Sequence, residues 1–102
     1  MLTVRQTTTF AKWLAGLRDR RARQRIADRI LRIQGGGLGD VAAVGQGVSE
    51  ARIHHGPGYR PYFIRRGEAV IILLCGGDKS TQAHDIQQAK ALAAQMPTLG
   101  EI

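Results

Sequence analysis

The segment VSEARIHHGPGYRPYFIRR, which runs from Val48 to Arg66, decides the fold of this chain. It predicts two strands joined by a tight turn at residues 56–59, because proline at the second turn position and glycine at the third fit a type II turn. Side chains alternate between the faces of a strand, which predicts an apolar face of Ala51, Ile53, Pro61 and Phe63. The opposite face collects Arg52, His54, Arg60 and Tyr62, with His55 at the turn. Such a polar face is suited to binding a phosphate group or to chemistry on it.

The N-terminal half predicts a strand followed by two helices. Residues 2–6 form the strand, and apolar side chains at helical spacing follow over residues 8–17, where a threonine of the run 7–9 is placed to cap the helix. Asp19 is placed to cap a second helix, which ends at the glycines that begin with Gly35. The glycine-rich stretch 35–46 is interpreted as a connection to the sheet, because it lacks the Gly-Lys-Ser/Thr of a phosphate-binding loop.

The C-terminal half completes an α+β domain. Residues 69–75 are continuously apolar and predict a strand covered on both faces. A last helix begins after Ser80 or Thr81, ends at Pro97 and leaves residues 97–102 as a loose tail. Pro61 lacks a backbone donor, which predicts that its strand lies at an edge or is bulged. The resulting order is β-α-α-β-β-β-α, with an antiparallel meander for the last three strands.

Length and composition limit the class of protein. A chain of 102 residues is long enough for one domain, residues 1–102, and too short for two. Its longest apolar run falls far short of the roughly twenty residues that span a bilayer, and its N-terminus lacks a secretory pattern. We therefore expect a cytoplasmic protein without a membrane partner. The single cysteine, Cys75, is expected in the core, and no cysteine–histidine spacing predicts a metal site.

Positive charge is the strongest compositional feature. The formal net charge is +7, and seven of the fifteen basic residues are arginines between residues 18 and 32. Such a charge favours a polyanionic partner such as RNA, an acidic protein or an anionic surface. An arginine-rich helix is most often a solvated face. The functional alternative is docking on a nucleic acid or on an acidic protein partner.

Two motifs resemble those of the phage-derived branch of HigB-type addiction-module toxins, within the RelE/ParE superfamily. In that branch the hairpin commonly reads G-V-x-E-L-R-I-H-x-G-P-G-Y-R-V-Y-F, and the following strand leads into G-G-D-K-x-x-Q-x-x-D-I. This chain reads GVSEARIHHGPGYRPYF from residue 47 and GGDKSTQAHDI from residue 76. It departs from the pattern at Ala51, His55 and Pro61. The resemblance extends over essentially the whole domain.

The resemblance implies a RelE-like fold, in which an N-terminal helical hairpin packs on a twisted antiparallel sheet and a C-terminal helix follows. It also implies a toxin that cleaves messenger RNA, often during translation on the ribosome. For the second helix it implies docking on ribosomal RNA or on an acidic antitoxin segment through Arg21, Arg25 and Arg29. It also implies inhibition by a cognate antitoxin, usually a helix-turn-helix protein of the HigA type, and activity without a metal or other cofactor. Such cleavage needs a base for the ribose 2′-hydroxyl, cations for the phosphorane and an acid for the 5′-oxygen. The expected product is a 2′,3′-cyclic phosphate.

Four residues are assigned to this chemistry: His54, Arg52, Arg60 and Lys79. Histidine titrates near neutral pH, and the arginine guanidinium is a permanently charged fork for phosphate. Lys79 adds charge or protonates the leaving group. Which residue is the acid and which the base stays open. A single histidine on a strand is more often a surface residue, but two arginines on the same predicted face favour the catalytic reading.

Four further residues are assigned to substrate binding: Tyr59, Tyr62, His55 and Asp78. Either tyrosine is able to stack on a base or hold a phosphate oxygen, and Asp78 to orient Lys79. Their structural alternatives are that Tyr59 fixes the turn, that Tyr62 packs across strands and that Asp78 only begins a loop.

The main alternative is a non-enzymatic inhibitor on the same fold, like the ParE toxins that poison DNA gyrase. A pure binder needs no proton-transfer group, so the arginine, histidine and tyrosine set favours the nuclease. An RNA-binding module without activity is a further alternative.

Overall fold

The computed structural model describes residues 2–37 and 39–96, which form five strands and three α-helices. The strands are β1 (Thr3–Gln6), β2 (Val41–Gly45), β3 (Val48–Ala51), β4 (Arg60–Arg66) and β5 (Val70–Gly77). The helices are α1 (Thr8–Gly16), α2 (Arg20–Gln34) and α3 (Gln82–Gln95), with a 3-10 turn, Lys79–Thr81, before α3. The α+β class is therefore confirmed, and the expected tail at 97–102 lies outside the described residues.

The strands form one mixed sheet in the order β1-β5-β4-β3-β2. Three of the four pairings are antiparallel, but β1 runs parallel to β5, so the expectation of an antiparallel sheet is wrong at this edge. The backbone N–H of Thr3 donates to the carbonyl of Ala69, and that of Thr7 donates to Leu73. A parallel neighbour requires a long crossover, which α1 and α2 begin.

Strand β2 lies in the stretch that the sequence predicts as a connection, and this interpretation is wrong. Val41 pairs with Ala51 and Gly45 with Val48 across an antiparallel hairpin. Gln46 and Gly47 connect the two strands with φ of 55° and 78°. Positive φ at both positions is typical of the two-residue turns whose twist matches that of a hairpin. Gln46 and Gly47 therefore form the turn of a β-hairpin between β2 and β3.

The helices cover both faces of the sheet. On one face, Phe10 of α1 and Ile26 and Ile33 of α2 pack with side chains from β4 and β5. On the other face, Ala89 and Ala93 of α3 pack with a second set of buried side chains. The predicted N-caps of the first two helices are confirmed, because the side chains of Thr7 and Asp19 accept backbone N–H groups of α1 and α2. The cap expected at Ser80 or Thr81 is wrong, since Thr81 precedes α3 without a capping hydrogen bond and Asp78 caps the 3-10 turn instead. None of the described helices is long and apolar enough to cross a membrane.

The predicted alternation of the hairpin is confirmed for its apolar residues, because Ala51, Ile53 and Phe63 share one core cluster. Pro61 does not lie at an edge, since β4 is flanked by β3 and β5. A bulge does occur beside it: Tyr62 pairs with Cys75 but Phe63 pairs with Leu73, which leaves Leu74 as an extra residue. Such a bulge changes the face to which the following side chains point.

Gly76 and Gly77 follow this bulge, and each allows a large side chain to contact the backbone of β5. A Cβ atom on Gly76 would lie within 3.0 Å of the Trp13 ring, and one on Gly77 would collide with the carboxylate of Asp85. The Thr81 hydroxyl donates to the same carboxylate, which is buried at the start of α3. The glycine pair thus fits α1 against one face and α3 against the other.

Replacing either glycine by alanine should destabilise the fold. We expect Gly76→Ala and Gly77→Ala each to lower the free energy of unfolding by about 2 kcal/mol or more, because neither neighbour has room for a methyl group. Urea denaturation followed by circular dichroism measures the change. Gly16→Ala is the matched control, because a Cβ there meets no atom within 4 Å and should not be destabilising. Wild-type stability in the Gly77 variant would contradict this account of the motif.

Candidate functional site

The first arm of the central hairpin leaves the sheet after Ala51. Ile53 keeps an isolated bridge to Tyr59, and the Arg52 N–H donates to the Asp40 carbonyl, so the arm docks on the loop before β2. The turn hydrogen bond runs from the Gly58 N–H to the His55 carbonyl, one residue earlier than predicted. Residues 52–55 are consequently irregular, and the two histidines among them contact different aspartates.

A buried carboxylate lies between the two arms, and the sequence analysis did not assign it to the site. Glu50 is 1% exposed, and its Oε1 atom accepts from Arg60 Nη1 at 2.7 Å and Arg52 Nε at 3.3 Å. The amide of Gln82, the first residue of α3, donates to both carboxylate oxygens at 3.1–3.2 Å. The sequence signals are an acidic residue on the same predicted face as Arg52 and the glutamate of the G-V-x-E motif.

This cluster changes the expected roles of Arg60 and Tyr62. The Arg60 side chain is 10% exposed and bound to Glu50, so its guanidinium is not open to a phosphate in this conformation. Tyr62 is 0% exposed, so no base can stack on it here, and the substrate-binding assignment is wrong for this conformation. No group of the described residues makes a well-formed hydrogen bond to its hydroxyl. Burial, and then the nearby charge of Glu50, raise the pKa of the Tyr62 phenol.

Asp40 brings two of the assigned catalytic residues together on the surface. His54 is 69% exposed, and its Nε2 atom lies 2.6 Å from Oδ2 of Asp40. Arg52 Nη1 lies 3.9 Å from the other carboxylate oxygen. The hydrogen bond with His54, and then the charge of Arg52, hold the pKa of Asp40 below its ordinary value. His54 is therefore both oriented and accessible.

His54 borders an open groove beside α2, which we call the arginine groove. Its lining consists of Arg25, Asp28, Arg29, Leu31, Arg32, Ile53 and His54. Arg29 is fixed within it, because its guanidinium donates to the Asp40 carbonyl at 3.2 Å and to the Arg52 carbonyl at 3.1 Å. Two of the three predicted docking arginines, Arg25 and Arg29, thus flank the histidine, whereas Arg21 lies in the first turn of α2 and does not line the groove.

The other assigned residues lie on different parts of the hairpin and its surroundings. His55 points away from His54, and its Nε2 atom lies 2.9 Å from Asp19 Oδ2 at the start of α2. The Tyr59 ring packs edge-on against Trp13, with centroids 6.4 Å apart. The exposed Lys79 lays its stem against Gly58.

Asp78 begins the 3-10 turn and accepts from the Ser80 N–H at 2.8 Å, which is the structural alternative foreseen for it. Among residues 2–37 and 39–96, no three histidine, cysteine or acidic side chains are grouped as a metal ion would require.

Removing the buried carboxylate should destabilise the protein. We expect Glu50→Gln to lower the free energy of unfolding by about 3 kcal/mol, because Arg60 would be left buried without its anion. Urea denaturation measures the change, with the exposed Glu68→Gln as control. In contrast, Tyr62→Phe removes a buried hydroxyl that lacks a partner and should be neutral or stabilising. Equal stability of the Glu50 and Glu68 variants would refute this role.

The two histidine–aspartate pairs predict that each histidine lowers the pKa of its own aspartate and not that of the other. The pKa of Asp19 is lowered first by its hydrogen bond with His55, and that of Asp40 first by His54. We expect His54→Ala to raise the pKa of Asp40 only, and His55→Ala that of Asp19 only, as measured by NMR of the carboxyl carbons. Because both folded pKa values lie below the ordinary 3.8, these carboxylates stabilise the fold above that pH, and their contribution is lost as pH falls through the lowered values. Unchanged titrations in both variants would disprove the pairing.

The comparison with known proteins identifies a relative but no activity. No known family profile matches the sequence. An uncharacterized protein of Haemophilus influenzae is 46% identical over 95 residues, which cover 93% of this chain and 96% of that protein. At this coverage the similarity extends over nearly the whole chain. The chain therefore belongs to the same family as this Haemophilus influenzae protein.

Proposed function

We propose that this protein is the toxin of a type II toxin–antitoxin module, with a RelE-like fold, and that it cleaves messenger RNA on the ribosome. The two hairpin and strand motifs support the assignment to a HigB-like toxin and the expectation of a HigA-like antitoxin. The α+β architecture, with helices on both faces of the sheet, supports a compact domain of this kind. The net charge of +7 supports an RNA substrate.

The observation that carries the proposal is His54, exposed beside the arginine groove and held by Asp40. A histidine in this position is able to take the proton of a ribose 2′-hydroxyl. Arg29 and Arg52 meet at Asp40 and are placed to stabilise the negative charge that develops on the phosphorane. A gyrase inhibitor would need neither an accessible histidine nor an oriented one.

The roles proposed for the other assigned residues follow from how far their side chains are exposed to solvent. Arg60 acts from the interior by holding Glu50, and through it Arg52, instead of contacting phosphate. Lys79 is exposed in the 3-10 turn before α3 and lays its stem against Gly58 of the hairpin turn, and its ammonium is the group proposed to protonate the leaving 5′-oxygen. Trp13 and Tyr59 form a half-buried aromatic pair behind this turn and support its shape.

Cleavage of a reporter message by purified protein on translating ribosomes tests the proposal. We expect His54→Ala to reduce the cleavage rate about 100-fold or more, which is the usual range for loss of a general acid or base. His84→Ala is the matched control, because His84 is an exposed histidine of α3 outside the arginine groove. Primer extension locates the cuts, and end analysis should find a 2′,3′-cyclic phosphate.

Two results would contradict the proposal. Growth arrest with intact messages and stalled DNA replication would support the gyrase inhibitor. Cleavage that is equally fast in wild type and in the His54 variant would show that the nuclease site lies elsewhere.

A further inference from the structure

The arginine groove contains two residues that a surface built only for phosphate would not have. Leu31 is 64% exposed and is the large hydrophobic side chain most open to solvent in the described residues. Asp28 lies one helical turn before it, between Arg25 and Arg32 along α2. An isolated exposed leucine needs no explanation, but this one lies in a groove together with charged side chains and the nearly buried Ile53.

Asp28 is available to a ligand. Its Oδ1 atom accepts from the Gln24 side chain at 2.9 Å. Despite the surrounding arginines, no ion pair within 4.0 Å involves this carboxylate in the described part of the chain. A carboxylate offers about four acceptor positions, so most of its hydrogen-bonding capacity faces the groove or solvent. Since it would repel a phosphate, Asp28 is suited to a group that donates hydrogen bonds.

We infer that Asp28 and Leu31 form a nucleobase subsite that prefers guanine in single-stranded RNA. This inference rests on the proposed function, because it assigns part of the substrate to the same groove. The flanking arginines bind the backbone phosphates, and the base lies against the exposed side chain of Leu31. The Watson–Crick edge of the base then faces the carboxylate of Asp28.

Guanine fits this carboxylate better than the other bases. Its N1–H and N2 amino group are adjacent donors and match the two oxygens of a carboxylate. Adenine and cytosine present a single amino group beside an acceptor nitrogen. Uracil presents one N–H between two carbonyl oxygens, which the carboxylate would repel. The expected order of preference therefore places guanine first and uracil last.

Binding of short RNA to the intact protein tests the subsite separately from cleavage. Fluorescence anisotropy would compare labelled, fully 2′-O-methylated single strands that differ at one central base, because these strands lack the 2′-hydroxyl nucleophile. We expect the guanine strand to bind about tenfold more tightly than the uracil strand. A strand with inosine, which lacks the N2 amino group, should fall between them.

Substitutions connect the preference to the two residues. Asp28→Asn should bring the guanine-to-uracil ratio near one, with Glu68→Gln as a charge-matched control that keeps it. Leu31→Ala should weaken binding of every base but leave an abasic strand unaffected. Equal binding of guanine and uracil by wild type, or a preference that survives in the Asp28 variant, would overturn the subsite while cleavage by His54 still stands. Absence of both RNA binding and cleavage would overturn the proposed function as well.

Discussion

The buried carboxylate of Glu50 is the interaction on which the arrangement of the site depends. A carboxylate in the interior is costly unless its hydrogen-bonding capacity is satisfied, and here three side chains donate to it. They come from β4, from the segment after β3 and from the start of α3. One ionised group therefore sets the positions of Arg60, Arg52 and Gln82 at the same end of the sheet.

The bulge in β5 is the second constraint, and it acts at the same end of the molecule. By adding Leu74 to the strand, it directs Gly76 towards α1 and Gly77 towards α3. The absence of a side chain at Gly77 lets Asp85 enter and bond with Thr81. Gln82 lies between Thr81 and Asp85 in the chain. The start of α3 is therefore held where the Gln82 side-chain amide reaches Glu50. The packing against Gly77 and the buried carboxylate of Glu50 thus both determine the position of α3.

These constraints divide the polar residues of the hairpin into an interior set and a surface set. Arg60 and Tyr62 face Glu50 and α3, where they are excluded from solvent. His54 instead emerges beside α2, with Asp40 linking it to Arg52. Arg52 belongs to both sets, since it contacts the buried carboxylate and the exposed one. Arg52 therefore links the buried Glu50 to Asp40, the residue that holds His54 beside the arginine groove.

The sequence by itself determined the α+β class, the helix caps at Thr7 and Asp19 and the apolar face of the hairpin. These features follow from local periodicity and capping, which depend on neighbouring residues. It also singled out His54 and Arg29, which the structure brings to the arginine groove, and Arg52, which meets His54 at Asp40. The parallel edge strand, strand β2 and the burial of Arg60 were decided only by the tertiary structure. Each depends on a partner that is distant in the chain: β5 for β1, β3 for β2, and Glu50 with Gln82 for Arg60. Alternation assigned Arg52 and Arg60 correctly to one face of the hairpin, but α3 covers that face, and alternation cannot show which face a distant helix will cover.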